Sequence, residues 1–333
     1  MCLGPTWRRQ QKKRSSRCSK IRQSRFATVW KKSSDACRSL KPKPKNSVNS
    51  SLDCIPCILS SFVRLLEKDI LPREKHEKAL RQVLFYLARA DYRQSPPILG
   101  REIHRLIREL LQNPDPYQEI KKASNQKMLA VYDRFRQQVH ESDDPFKTAL
   151  RLAVAGNVID YAPQNRLDIW ETTERVLRSP LAVDDSDALR HALRASQQLL
   201  YIGDNAGEIV LDKLFLDTIA HPNVYFAVRA APVINDATLE DALAVGIDKI
   251  AQLITTGDDA PGAVWETTSH DFKTVFNTAD VVIAKGQGNL EGLIDTDYKI
   301  FFLFVAKCDL IASRVGAHKG DFVVKYKSQK RIE

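Results

Sequence analysis

The chain has 333 residues, 43% of them hydrophobic and 28% charged, a balance that suits one large globular domain or two ordinary ones and excludes wholesale disorder and fibrous repeats. The net charge of +10 is concentrated at one end: residues 1–50 hold 15 Lys and Arg against one acid, Asp35, while the remainder holds 36 basic and 40 acidic residues, a net of −4. No run reaches the ~18–20 apolar residues that span a bilayer, no apolar stretch follows the basic N-terminus as in a signal peptide, and six cysteines are too few for a disulfide scaffold, so a cytoplasmic protein with free thiols and no membrane partner is expected.

Residues 1–50 are rich in Arg, Lys and Ser and have no hydrophobic period, so they cannot bury enough apolar surface to offset chain entropy and are expected to be a disordered basic tail. The tail reads as a basic arm for nucleic acid or anionic lipid, as a transit peptide, or as sequence upstream of a true start at Val48. The last reading is favoured, and nucleic acid is expected as a partner only through this tail. Helical periodicity opens near Leu52, with Asp53 able to cap, Pro56 tolerated in the first turn, and Ile58, Phe62, Leu65 and Leu66 on one face. Further helices are predicted at 74–90, 98–112, 117–140, 145–157 and 165–177, separated by Pro-containing breaks. Residues 51–195 thus read as an all-α subdomain.

From about residue 196 the pattern changes, and 196–333 reads as a separate α/β domain. Short apolar runs at 198–202, 223–228, 249–253, 281–284, 301–305 and 322–325 alternate with helical segments at 207–220, 236–245, 260–277 and 288–294. Strands alternating with helices predict βαβ units and a mostly parallel sheet. In such sheets ligands bind beyond the carboxyl ends of the strands. The residues at those ends are Gly203-Asp204-Asn205-Ala206-Gly207-Glu208, then Arg229 through Asp236, then Lys285-Gly286-Gln287-Gly288-Asn289, then Lys307-Cys308-Asp309.

Asp204, Asn205 and Asp236 offer oxygen donors without a nearby His or Cys, which suits Mg²⁺ or Mn²⁺ better than Zn²⁺. Lys285 beside two glycines at a helix start suggests an anion cradle. A hard cation beside an anion cradle is the layout for phosphate-ester chemistry. Each residue also has an ordinary use: Asp204-Asn205 and Asp236 can cap helices, Lys285 can be a solvated charge, and Gly286-Gln287-Gly288 can be a plain turn. Only their convergence on one sheet edge favours a site. Cys54-x-x-Cys57 can be a redox pair, half a metal site, or two unreactive thiols. No Walker A loop, G-x-S-x-G elbow or complete dinucleotide fingerprint occurs.

Taken in order, Asp53-Cys54-Ile55-Pro56-Cys57, Asp115-Pro116-Tyr117-x-x-x-Lys121, Ala155-Gly156-Asn157-x-x-Asp160, Gly203 to Glu208, Lys285-Gly286-Gln287-Gly288-Asn289-x-Glu291 and Lys307-Cys308 resemble the metal-dependent damage-control phosphatase family. The family was long catalogued as a domain of unknown function, and the likeness, over about residues 50–330, is to its prokaryotic branch with an N-terminal CxxC. The resemblance implies an N-terminal helical subdomain packed on a Rossmann-like α/β/α domain, with the site between them. It implies a divalent metal (Mg²⁺, Mn²⁺, Co²⁺ or Ni²⁺) held by Asp204, Asn205 and Asp236, with Asp204 and Lys285 as catalytic residues and Lys285 as a phosphate ligand. It further implies that Asn157 and Asp160 reach the substrate or metal from the helical side, and that the substrates are small phosphorylated metabolites. Glu208, Arg229, Gly286, Gln287 and Asn289 complete the candidate substrate site.

Two rival functions stand beside this one. The first is an S-adenosylmethionine-dependent protein carboxyl methyltransferase, an activity ascribed to a eukaryotic branch of the family. Its ribose ligand would be an acid at the end of the second strand of the α/β half, where Arg229 stands instead. The second is a thiol or metal-binding protein centred on Cys54 and Cys57.

Overall fold

The computed structural model describes residues 50–67, 71–159 and 169–328. The basic segment up to residue 49, and Asp160, lie outside these residues. Seven helices come first: α1 (Cys54–Glu67), α2 (Arg73–Leu87), α3 (Pro96–Leu111), α4 (Gln118–Leu129), α5 (Tyr132–His140), α6 (Pro145–Ile159) and α7 (Ile169–Arg178). Their starts follow local chemistry: α3 opens on Pro96-Pro97 after Ser95, places Leu99, Ile103 and Ile107 on its buried face, and ends at Gln112 in the left-handed conformation. The single helix expected at 117–140 is two, α4 and α5, broken at Ala130-Val131. The break aims Met128 and Phe135 into the same core.

The α/β part begins with β1 (Leu181–Asp184) and α8 (Ser186–Ala195), continues through β2 (Leu199–Ile202), α9 (Glu208–Ile219), β3 (Val224–Val228), α10 (Leu239–Ala244), β4 (Gln252–Thr255) and α11 (His270–Thr278), and ends with β5 (Val281–Lys285), α12 (Gly286–Leu293), β6 (Ile300–Val305), α13 (Asp309–Val315) and β7 (Phe322–Lys327). The sheet order is β1-β7-β6-β5-β2-β3-β4, parallel throughout except where β7 runs antiparallel to β6. The expected Rossmann-like, mostly parallel α/β architecture is therefore present. The chain runs outward from β2 to β3 and β4, returns to β5 beside β2, and runs outward the other way. The switch point, where a crevice opens, lies between β2 and β5.

Alternation along the strands sorts the core into two layers. Leu199, Tyr201, Phe301 and Leu303 face a layer that includes Phe135, Leu150, Phe215 and Ile169; Leu200, Ile202, Phe302 and Phe304 face one that includes Phe272, Leu290 and Ile311. No packing break falls at residue 195. Helices α4 to α7 share one core layer on the sheet with α8 and α9, β1 pairs with β7, and the described residues form one compact unit. Only α1 to α3 have a cluster of their own, built on Phe62, Leu66, Val83, Leu87, Ile103 and Ile107. Two other expectations shift. The strand expected at 249–253 is β4 at 252–255, because residues 247–249 form a 3₁₀ turn after Gly246. The helix expected at 260–277 starts at His270, behind its Ser269 cap, because residues 256–264 form a loop packed on α12. Among the described residues no helix is long and apolar enough to cross a membrane.

Arg101, Arg105 and Arg108 lie at i, i+4 and i+7 of α3 and reach across to the loop after β4. Arg101 donates to Asp258 at 2.8 Å, Arg105 to Asp259 at 2.6 Å, and Arg108 to both Asp259 and the Pro232 carbonyl. Burial alone would raise the Asp259 carboxyl pKa, but the Arg105 and Arg108 guanidiniums outweigh it and hold the value at about 2, below the ordinary 3.8. A depressed folded-state pKa contributes stability that is complete above the ordinary value and is lost as pH falls through the lower one. Asp259→Asn is therefore expected to lower the melting temperature at neutral pH and to flatten its fall between about pH 4 and pH 2. Thermal melts across that range, wild type against variant, check it.

Candidate active site

The crevice is built by three strand ends. Gly203-Asp204-Asn205 follow β2, Arg229 follows β3, and Gly286 follows β5 and opens α12. The loops after β2 and β3 are laced by main-chain bonds. Ala206 N–H donates to Asn235 O at 2.9 Å, Ala237 N–H donates to Asp204 O at 2.8 Å, and Asn205 bridges Asp236 as an isolated antiparallel pair. This brings Asp204, Asn205 and Asp236 together, all buried. None of them is an N-cap: α9 is preceded by Gly207 and α10 is capped by Thr238. Glu208 joins the group, because the Asn205 amide donates to Asp204 Oδ2 and Glu208 Oε2, both at 3.0 Å.

Arg229, 1% exposed, donates from Nε to Asp236 at 2.7 Å and from Nη2 to Asp204 at 3.4 Å, while its buried Nη1 has no hydrogen-bond partner among the described residues. Burial, then the charges of Asp236 and Glu208, push the Asp204 carboxyl up to about 7, against the pull of Lys307 and Arg229. Burial raises Asp236 too, opposed mainly by Arg229. Asp204 and Asp236 share one guanidinium in a buried place, and two carboxylates with one amide carbonyl are an all-oxygen donor set. These residues fit a hard divalent cation. Among the described residues no group of three or more His, Cys, Asp or Glu is arranged to hold a metal, so the set depends on Asn205 as its third donor.

Lys285 does not face the crevice as expected of a phosphate ligand. Its side chain is fully buried, and its ammonium donates to Glu208 at 2.6 Å, to Asp212 and to the Ala153 carbonyl at 2.8 Å. An ammonium has three N–H donors, and all three are used. Lys285 instead fixes Glu208, which in turn holds the Asn205 amide. Asn289 is likewise committed to main chain: it donates to Gly203 O at 3.1 Å and to Lys285 O, and accepts from Ala263 N–H at 2.6 Å. Gln287 accepts from Lys307 N–H at 2.8 Å and donates to Glu291 at 2.7 Å.

Gly286 has φ +77°, and a Cβ there would lie 1.9 Å from Asp204 Oδ2. Glycine is what lets the α12 N-terminus approach that carboxylate. Gly286→Ala is expected to cost about 1–3 kcal/mol and to displace the Asp204 side chain. Chemical denaturation gives the stability, and a crystal structure of the variant gives the displacement.

Asn157 lies on α6. Cys54, Cys57 and Cys308 are free thiols, with Cys57 exposed. Lys307, which the sequence places at a strand end without assigning it a role, lies in the loop after β6. It is half-buried, and its charge reaches Asp204, Asp236 and Glu291 alike. Burial raises the Glu291 carboxyl to about 7 even though Gln287 and Lys307 favour its charged form.

The family model for the damage-control phosphatase ARMT1-like domain matches residues 50–323. The chain belongs to that family. A damage-control phosphatase of Pyrococcus horikoshii is 34% identical over 281 residues, 81% of this chain and 96% of that protein. A damage-control phosphatase of Archaeoglobus fulgidus is 35% identical over 247 residues, 71% and 85% of the two chains. The crystal structure of a DUF89 family protein from Pyrococcus horikoshii superposes with a TM-score of 0.78 at 32% identity, covering 85% of this chain and 99% of that one. In this ARMT1-like domain the matched span takes in the helical layers and the sheet as far as the start of β7, and so includes every crevice residue described above.

Proposed function

We propose that the chain is a divalent-metal-dependent phosphatase that hydrolyses small phosphorylated metabolites. The observation that carries this reading is the meeting of Asp204, Asn205 and Asp236 at the sheet's switch point, and the names of the relatives support it. Asp204, Asn205 and Asp236 would hold Mg²⁺, Mn²⁺, Co²⁺ or Ni²⁺. Such a cation, when bound, polarises a phosphoryl oxygen and lowers the pKa of bound water.

The chain's own groups do the rest. Lys307 brings a positive charge to the crevice for the phosphoryl group. The unpartnered Nη1 of Arg229 is a donor held in place by the ion pairs of the same guanidinium, and an oxyanion that reaches it gains a hydrogen bond. The main-chain N–H groups of Gly286 and Gln287, at the start of α12, favour negative charge at the same point. Glu208, locked by Lys285, holds the Asn205 amide so that its carbonyl oxygen points away from Glu208.

The test is phosphate release from an aryl phosphate and a panel of sugar phosphates, using metal-stripped protein with each divalent metal restored in turn. Release that appears only with metal is the expected result. No release with any metal would refute the proposal.

A further inference from the structure

The segment Asp115-Pro116-Tyr117-x-x-x-Lys121 has no part in the chemistry above, yet its lysine is 3% exposed. Lys121 Nζ sits between Asp115 Oδ2 at 2.7 Å and Asp241 Oδ2 at 3.0 Å. Asp241 is also the capping carboxylate of α10, accepting from Thr238 N–H at 3.0 Å and Thr238 Oγ1 at 2.8 Å. One turn along α4, buried Asn125 donates to Asp241 Oδ1 at 3.2 Å and accepts from Gly207 N–H at 2.6 Å. The helix lies so close that a Cβ on Gly207 would fall 2.3 Å from Ser124 Oγ.

Thus one face of α4, through an i, i+4 pair, grips two loops at once. Gly207 is two residues beyond Asn205, and Thr238 is two beyond Asp236. A buried ion pair is weak evidence for stability, since apolar residues of similar volume serve as well or better. Here both polar groups converge on main-chain amides beside the metal donors. The network reads as a registration device between the loops.

We propose that Lys121, Asn125 and Asp241 are positioning residues that set the separation of the loop bearing Asp204-Asn205 from the loop bearing Asp236, and so set the affinity for the divalent cation. The inference rests on the metal site proposed above. Outer partners of metal ligands are worth roughly 10–100-fold in affinity.

The test uses the full chain and two variants. Lys121→Met/Asp115→Asn/Asp241→Asn removes the lysine together with both of its carboxylates, so no charge is stranded beside the emptied position. Asn125→Ala removes only the amide. Mn²⁺ affinity is measured by titration, and amide exchange at Gly207 and Thr238 is measured on metal-free protein. Roughly 10–100-fold weaker Mn²⁺ binding is expected in each folded variant. Faster exchange is expected at both amides in Asn125→Ala, although Asn125 reaches Thr238 only through Asp241. Wild-type Mn²⁺ affinity in a folded variant, or exchange that rises at Gly207 alone, would overturn the proposal; a purely structural role would lower the melting temperature and leave affinity unchanged. If the wild-type chain takes up no divalent cation, the metal site itself has failed, which is seen before any variant is made, and the exchange data then decide the loop coupling by themselves.

Discussion

Asp204→Ala is expected to reduce metal-dependent phosphate release by more than about 10³-fold while the chain stays folded. The two halves of that expectation have separate causes. Activity falls because Asp204 is the one carboxylate that meets Asn205, Arg229 and the start of α12 together. The fold survives because the Asp204 main chain, which accepts from Ala237 N–H, is untouched and because the lost carboxylate was crowded by Asp236 and Glu208. Its removal relieves repulsion in a buried place. Circular dichroism and a melting curve establish the fold, and turnover under saturating Mn²⁺ establishes the activity. A variant that keeps wild-type turnover would remove Asp204 from the site.

Lys285→Met should behave in the opposite sense, losing about 3–5 kcal/mol of stability because Glu208 and Asp212 would be left as buried charges with no cation between them. That is a large fraction of the ~5–15 kcal/mol that holds a typical domain together, and poor soluble yield is expected. Tyr201 donates to Asp212 at 2.7 Å and cannot replace a charge. The triple variant Lys285→Met/Glu208→Gln/Asp212→Asn should recover much of the loss, since no charge then remains unpaired. Denaturant titration of the two proteins measures the difference. Equal instability in both would mean that Lys285 acts through packing and not through charge.

The strands at the centre of the sheet are legible in the sequence because burial on both faces writes them as continuous apolar runs, as in Leu199–Ile202 and Ile300–Val305. β1 is not, because only Leu181 and Val183 of its four residues are partly covered at the sheet edge. The break between α4 and α5 carries no Pro or Gly, so nothing local announces it. The crevice was legible to the extent that it depends on chain order. Asp204, Asn205 and Asp236 follow strands whose ends the topology brings together. What chain order cannot give is which way an ionisable side chain turns. Lys285 ends one central strand and Lys307 follows another, yet one points back into the core to three acceptors and the charge of the other reaches the carboxylates. Two oppositely charged groups 73 residues apart, Lys285 and Asp212, settle that difference, and their pairing is a tertiary fact.

Helices α1 to α3 bury their apolar faces chiefly in one another, and Ile234, beside the Asp236 loop, packs against them. Their polar links to the sheet run largely through the Arg101, Arg105 and Arg108 contacts. Clusters of this kind in other proteins often open as units at a lower free energy than the whole chain. Part of its attachment is ionic and half-exposed, so added salt weakens the attachment more than it weakens the apolar sheet core. Two members of the family with identical crevice residues could therefore differ in their tolerance of salt solely through the arginines on the third helix.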